Sequence, residues 1–425
     1  MKHLSLPSQT LSLSPPESFS YRNNQLFCED VSLSVIAQSA GTPVYVYSRQ
    51  VLANRIGAFL SATAAYSPEA LVCYAVKANA NPALLNLFRK AGLGADVTSG
   101  GELFLALNAG IDPSKIIFSG VGKREHEITE ALTAGIKAIH VESEMELHVV
   151  AEIAEQLGKQ APIGVRVNPN IDAETHPYIS TGLHGHKFGV PKERAMAMLQ
   201  FAAAHPALHL VGLAAHIGSQ ITELGPYAQS VDSLIELAVE MRDAGVSLTY
   251  IDAGGGLGID YESAAPSIVD WVNTIAPQIH AAGFSLVLEP GRSIVGQAGV
   301  LLTRVVYTKE QGDKQFVIVD AGMTDLIRPA FYQAYHPIIP VIESHESSIT
   351  VDVVGPICET SDILARDRLL PQPARQDLLA ILHSGAYGFA MSSNYNGHLR
   401  PAEVLVEGDA FRMIRRRQVY EDLLD

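Results

Sequence analysis

A two-part unit recurs between about residue 47 and residue 298: a short apolar or β-branched run, then a stretch with apolar residues at three-to-four spacing. The runs cover 71–76, 94–98, 116–119, 138–142, 163–168, 210–216, 248–253 and 285–289. Amphipathic stretches such as 82–91, 125–134, 144–157, 192–204, 227–244 and 267–282 lie between them. Continuous apolar runs suit strands buried on both faces, and a period near 3.6 suits helices that cover one face of a sheet. Gly92, Gly135, Gly158, Gly245 and Gly283 stand where helices should stop, since a residue entering the left-handed region commonly ends a helix. Eight such units predict an α/β fold, a (β/α)8 barrel over 47–298, with a doubly wound sheet as the structural alternative.

A barrel carries its functional groups where strands end. Lys77, Asp96, Ser119, Glu142, Arg166, Asn168, His216, the glycine run 254–256 and Glu289 all fall there. Lys77 closes an apolar run in Cys73-Tyr-Ala-Val-Lys77-Ala-Asn-Ala-Asn-Pro82. A lysine so placed either snorkels its charge to the rim or, losing its proton easily, attacks a carbonyl and forms a Schiff base. Asp252-Ala-Gly-Gly-Gly-Leu-Gly258 follows the seventh run and Glu289-Pro-Gly-Arg292 ends the eighth. Barrel enzymes often bind phosphate with the loops after those two strands, where glycines let backbone N–H groups approach an anion. Neither loop is a G-x-G-x-x-G or a P-loop, so a dinucleotide is disfavoured; a plain turn is the simpler reading. Glu289 is placed to bond a pyridinium nitrogen, which keeps such a ring a strong electron sink, or else to join an ion pair inside the barrel. His216, in Ala-Ala-His-Ile-Gly-Ser219, is either a flat neutral imidazole stacked on an aromatic cofactor or a satisfied core residue. His184 and His186 lack the ligand spacing of a metal site and read as loop residues, so no metal is expected.

After about residue 299 the texture changes. Runs at 299–307, 315–319, 348–354 and 377–383 are β-like with few helix signals, which predicts a mainly antiparallel β domain over 299–425. Residues 20–46 look extended and are expected to join it, behind a flexible tail at 1–19. Asp320-Ala-Gly-Met-Thr-Asp-Leu-Ile-Arg328-Pro-Ala-Phe-Tyr332 sets a guanidinium near a phenol, and arginine favours bidentate carboxylate binding. Gly355-Pro-Ile-Cys358-Glu359 puts a thiol beside a carboxylate, and Gly385-Ala-Tyr387-Gly388 offers a phenol between glycines. The arginine run 415–417 reads as a solvated face.

At 425 residues and a net charge of −15, the chain has room for two domains and a surface that repels nucleic acid and anionic membranes. Cys28, Cys73 and Cys358 form no C-x-x-C pair, which disfavours a zinc site or a disulfide framework and suits a reducing compartment. No apolar run nears the roughly 18 residues of a membrane span. The first 19 residues lack an apolar signal core. A cytoplasmic protein is expected, with plastid import as the alternative.

The segments Tyr-Ala-Val-Lys-Ala-Asn, Gly-Ala-Asp-Val-Thr-Ser-Gly-Gly-Glu, His-Ile-Gly-Ser-Gln, Glu-Pro-Gly-Arg, Asp-Leu-Ile-Arg-Pro-Ala-Phe-Tyr and Gly-Pro-Ile-Cys-Glu occur in that order. Together, over about residues 20–425, the chain resembles the barrel-type pyridoxal-phosphate decarboxylases of basic amino acids, most nearly the branch acting on diaminopimelate. The resemblance implies pyridoxal 5'-phosphate as cofactor, anchored by Lys77. His216 would stack on its ring, and Asp96, Ser219, Gly255, Gly256, Glu289, Gly291, Arg292 and Tyr387 would bind the rest. Arg292, Arg328 and Tyr332 would hold the distal amino-acid end of the substrate, Glu359 its ammonium, and Tyr387 would reach both molecules. Cys358 would give the proton that completes L-lysine, the last step of lysine biosynthesis. In that family the cysteine approaches the partner subunit's lysine, which implies a homodimer with sites at its interface. The rival readings are decarboxylation of ornithine, arginine or carboxynorspermidine, a non-catalytic cofactor-binding homologue, an alanine racemase and a metal-dependent barrel hydrolase.

Overall fold

The structure, a computed structural model, describes residues 17–66, 69–172, 186–344 and 346–424. Its centre is a closed barrel of eight parallel strands: Leu71–Ala75, Gly94–Val97, Ile116–Phe118, Ala138–Val141, Ala161–Arg166, Leu208–Ala214, Tyr250–Asp252 and Ser285–Leu288. The last strand pairs with the first, so the doubly wound alternative is excluded. Every expected run overlaps its strand, two strands starting two residues earlier than the run, and each strand stops one or two residues before the run does. Of those final residues, Thr98, Ser119, Ala215, His216 and Glu289 line a cavity at the rim. Gly92, Gly135, Gly158, Gly245 and Gly283 all have positive φ at helix ends. Helices Arg49–Ala64 and Gly100–Asn108 were not singled out from the sequence. Ser48 and Ser99 start them by accepting the Val51 and Glu102 amides, as capping residues do.

Burial at both levels of the barrel locks it. Trp271 is fully buried, with Phe59 edge-on at 6.0 Å and Tyr227 at 5.2 Å. One indole therefore joins helices Arg49–Ala64, Gly225–Asp243 and Ile268–Ala281, and truncating such a side chain costs about 3–5 kcal/mol. Inside the barrel, Cys73, Ile117, Ala138, Val211, Tyr250 and Val287 form a separate apolar plug.

The second domain is a sheet in which Gly299–Gln311 pairs antiparallel with Val44–Ser48, Lys314–Val319 and Leu378–Ile381. Most pairings are antiparallel, as expected. Lys314–Val319 with Ser348–Val354, and Val44–Ser48 with Ala402–Glu407, are parallel. The N-terminal segment does meet this domain, since the Leu26 amide bonds to Val341 O. Glu403, fully buried, accepts from Tyr47 Oη at 2.8 Å, Asn81 Nδ2 at 2.7 Å and Arg415 Nε at 2.5 Å. Asn79 Nδ2 donates to Tyr47 Oη at 2.9 Å. A buried carboxylate of the second domain thus holds the loop that follows Lys77. The arginine run is accordingly no solvated face: Arg415 serves Glu403 and Arg417 donates to Pro43 O, which leaves Arg416 exposed and paired with Asp422. No helix among the described residues is long and apolar enough to cross a membrane.

Candidate active site

Lys77 rides on one 3-10 turn, Val76–Ala78, at the end of the first strand. The turn is held from both sides, by the Tyr74 hydroxyl on Asn79 O at 3.0 Å and the Tyr387 amide on Ala78 O at 2.8 Å. Lys77 Nζ donates to Asp96 Oδ2 at 3.0 Å, and Asp96 is wholly buried on the next strand. Burial alone would pull the ammonium pKa down, but Asp96, Tyr387 and Glu289 outweigh it and hold it above its ordinary value. The Lys77 charge balances the acidic wall around it.

A cavity of about 270 Å³ opens at Lys77 and is lined also by Thr98, Ser119, Gly120, His140, Arg166, Phe188, Ala214, Ala215, His216 and Glu289. His216 Nδ1 accepts the Gly255 amide at 3.2 Å, which puts the ring proton on Nε2. Burial, then Lys77 and Arg166, push its pKa well below the ordinary value. The imidazole is therefore neutral, as a stacking partner should be.

Glu289 shares the barrel mouth with Asp252. Burial raises both carboxyls, with the charge of Asp96 adding to each and that of Asp252 adding to Glu289; Asp252 reaches about 7 although Gly254 N–H and Glu289 pull it down. A coupled buried pair raised in this way retains a proton. His140 lies behind, with Nδ1 at 4.0 Å from Asp252 Oδ2 and from Glu289 Oε1, and Nε2 at 2.9 Å from Tyr250 Oη. Burial pushes its pKa down to about 3, so it adds no charge. Ligand atoms of His140, Asp252 and Glu289 lie within 4.8 Å of one another. The neutral His140 ring is satisfied at Nε2 by Tyr250 Oη, and its 4.0 Å separations from the two carboxylates are longer than hydrogen bonds. Sequence reading passed over His140 and Tyr250; the signal was a polar side chain in mid-strand, inside an otherwise apolar run.

The two glycine loops are packed tightly against their neighbours. A Cβ on Gly255 would lie 2.1 Å from Glu289 O, and one on Gly256, at φ +91, 2.2 Å from Gly218 O. Glycine is required there so that the loops after strands six, seven and eight can converge. Arg292 Nη2 donates to Ser219 Oγ at 3.1 Å, while its buried Nε has no partner. Such a donor calls for an acceptor from outside the chain. A carbonyl-reactive lysine, a neutral flat imidazole, a proton-bearing carboxyl and an unsatisfied arginine beside glycine loops together fit an aromatic aldehyde phosphate.

The distal groups divide. Arg292 and Arg328 are both 5% exposed, and each donates to Tyr261 Oη at 2.9 Å. Arg292 also lies over the Tyr387 ring at 4.9 Å. Arg328 Nη1 meets His336 Nε2 at 2.7 Å, and His336 Nδ1 meets Leu382 O at 2.9 Å. Tyr261 and His336 were not singled out from the sequence; only their distance along the chain from Arg328 conceals them. Tyr332 is half-buried against Phe331. Cys358 and Glu359 are exposed and do not line the cavity. Asn396 Oδ1 holds the Cys358 amide at 2.8 Å, and Ser361 bonds to the Glu359 carboxylate. His184 lies outside the described residues, as does most of the expected tail; His186 is half-buried.

A family model described as the pyridoxal-binding domain of pyridoxal-dependent decarboxylases matches residues 53–296. The chain is 47% identical over 407 residues to the diaminopimelate decarboxylase of Aquifex aeolicus (strain VF5), covering 95% of this chain and 96% of that protein. To that of Vibrio cholerae it is 45% identical, covering 95% and 97%. A crystal structure of diaminopimelate decarboxylase from M. jannaschii in complex with L-lysine superposes with a TM-score of 0.92 at 37% identity, covering 96% of this chain and 97% of that one.

Proposed function

The chain belongs to the pyridoxal-dependent decarboxylase family, and on that premise we propose that it removes carbon dioxide from meso-2,6-diaminopimelate to leave L-lysine. Its cofactor is pyridoxal 5'-phosphate. When bound, the cofactor supplies a carbonyl that joins the substrate amine and a ring that takes up the electron pair left by the departing carbon dioxide.

The chain's own groups do the rest. Lys77 anchors the cofactor and gives way to the substrate amine, with Asp96 receiving its ammonium when released. Glu289, raised by burial and its acidic neighbours, would meet the ring nitrogen and favour the electron-accepting form. His216, neutral, would stack on the ring. Ser219, Gly255, Gly256, Gly291 and Arg292 take the phosphate, and Tyr387 touches both molecules. Arg292, Arg328 and Tyr332 grip the distal carboxylate and Glu359 the distal ammonium. This orients the scissile bond, and Cys358 protonates the carbon left behind. Cys358 and Glu359 are exposed in the single chain; that exposure supports a homodimer in which they complete the partner's site.

The observation that carries the choice of substrate is the pair Arg292 and Arg328, both buried and converging on one oxygen. Two desolvated guanidinium groups require a carboxylate, and ornithine, arginine and their decarboxylated relatives have none at the distal end. The test is carbon dioxide release from purified protein supplied with diaminopimelate, ornithine, arginine and carboxynorspermidine in parallel. Release from diaminopimelate with lysine as product is expected; release from the others alone would remove this assignment.

A further inference from the structure

Tyr261 stands outside every role given so far, yet its hydroxyl accepts from both Arg292 and Arg328, and both guanidinium groups lie over its ring. The loop that carries it follows the glycine run and is fixed before it reaches the tyrosine. Gln220 grips Ile259 at two points, Nε2 on the carbonyl at 2.7 Å and Oε1 under the amide at 3.2 Å. From the phenol a hydrogen-bond chain runs in both directions. One way it passes through Arg292 to Ser219 Oγ; the other way it passes through Arg328 and His336 to Leu382 O. Because a guanidinium only donates, His336 Nε2 must accept and Nδ1 must donate, so the imidazole is a fixed neutral brace.

We propose that Tyr261 is a positioning residue for substrate selection, its oxygen tying Arg292 to Arg328 and setting the spacing at which the two guanidinium groups receive a distal carboxylate. The inference rests on the assignment of those arginines under the proposed function. Each guanidinium uses one nitrogen on the phenol. Arg292 Nε remains buried without a partner, so the phenol spaces the pair without using up all of its donors. Two like charges brought together in a buried site separate unless something between them accepts from both. The phenol oxygen, with two lone pairs, does that before any substrate arrives.

The test is Tyr261→Phe in the full-length holoenzyme, which keeps the ring and removes the shared acceptor. Three ligands separate the outcomes: diaminopimelate as substrate, and lysine and 1,5-diaminopentane as competitive inhibitors. The diamine has the spacing of lysine but no carboxylate. The expected result is a KM for diaminopimelate and a Ki for lysine both raised about tenfold, the scale of a lost hydrogen bond to a charged group. The Ki for 1,5-diaminopentane and the bound-cofactor absorbance stay within about twofold of the parent, since the diamine has no carboxylate and Arg292 keeps its bond to Ser219 Oγ beside the phosphate site. An unchanged KM would overturn the proposal. A parallel loss for all three ligands, or loss of the cofactor band, would overturn it too, by showing a merely structural role. A parent enzyme that does not decarboxylate diaminopimelate would overturn the substrate assignment first, an outcome legible before any variant is made.

Discussion

The two ends of this site are built differently. At the cofactor end each group is wholly or partly buried and held by its own chain: Lys77 on Asp96, His216 under the Gly255 amide, Glu289 against Asp252. At the other end Cys358 and Glu359 stand in solvent on a loop secured through Asn396 and Ser361. Between them the arginine pair is buried and braced but still has one unsatisfied donor, Arg292 Nε. The difference teaches where preorganisation is needed. A ring that accepts electrons has to be fixed before substrate arrives, because its surroundings set its electronics. A proton donor has only to arrive once the substrate is seated, and it can come from elsewhere.

That contrast can be broken or sharpened by substitution. Lys77→Ala strikes the buried end and should lower kcat/KM by at least about a thousandfold, together with loss of the visible cofactor band. Cys358→Ala strikes the exposed end and should lower kcat by about a hundredfold, the low range for a lost acid, while absorbance and cofactor affinity stay unchanged. If the band disappeared as well, the two ends would not be separable in the way described. The smallest effect concerns the shared proton. Burial raises Asp252 from 3.8 to about 7, so the folded cofactor-free protein holds a proton that the unfolded chain has released. Stability is therefore lost as pH rises between about 4 and 7. Asp252→Asn keeps the acceptor for Gly254 N–H but cannot ionise. Its Tm relative to the parent should climb by a few degrees from pH 5 to pH 8 in a thermal melt of the cofactor-free proteins. A constant difference would mean that the carboxyl is not raised.

Much of the cofactor end was legible in the sequence. A barrel rim is reached by counting apolar runs, and Lys77, Asp96, His216 and Glu289 all sit at run ends, so local pattern places them together. The remainder depends on contacts that no local pattern encodes. Tyr261 meets Arg328 across 67 positions and Tyr47 meets Glu403 across 356. Arg415 read as part of a solvated face and Glu403 drew no reading at all, because the strands carrying them, Ala402–Glu407 and Ala410–Arg415, are short and partly polar. His140 was hidden for the opposite reason, being one polar residue inside an apolar strand. The protonation of Lys77 was left open, since it is set by three acidic or phenolic groups from separate elements.

The central claim is that one chain supplies the cofactor end and another the proton-donating end. Complementation tests it most directly. Lys77→Ala and Cys358→Ala proteins, each nearly inactive alone, are unfolded or dissociated together, reassembled in equal amounts and assayed with diaminopimelate. If the acid crosses a two-fold interface, half of the dimers are hybrids with one intact site, and about a quarter of parental activity should return. A mixture no more active than its separate components, with dimers shown to have exchanged, would place Lys77 and Cys358 in the same chain's site and contradict the account.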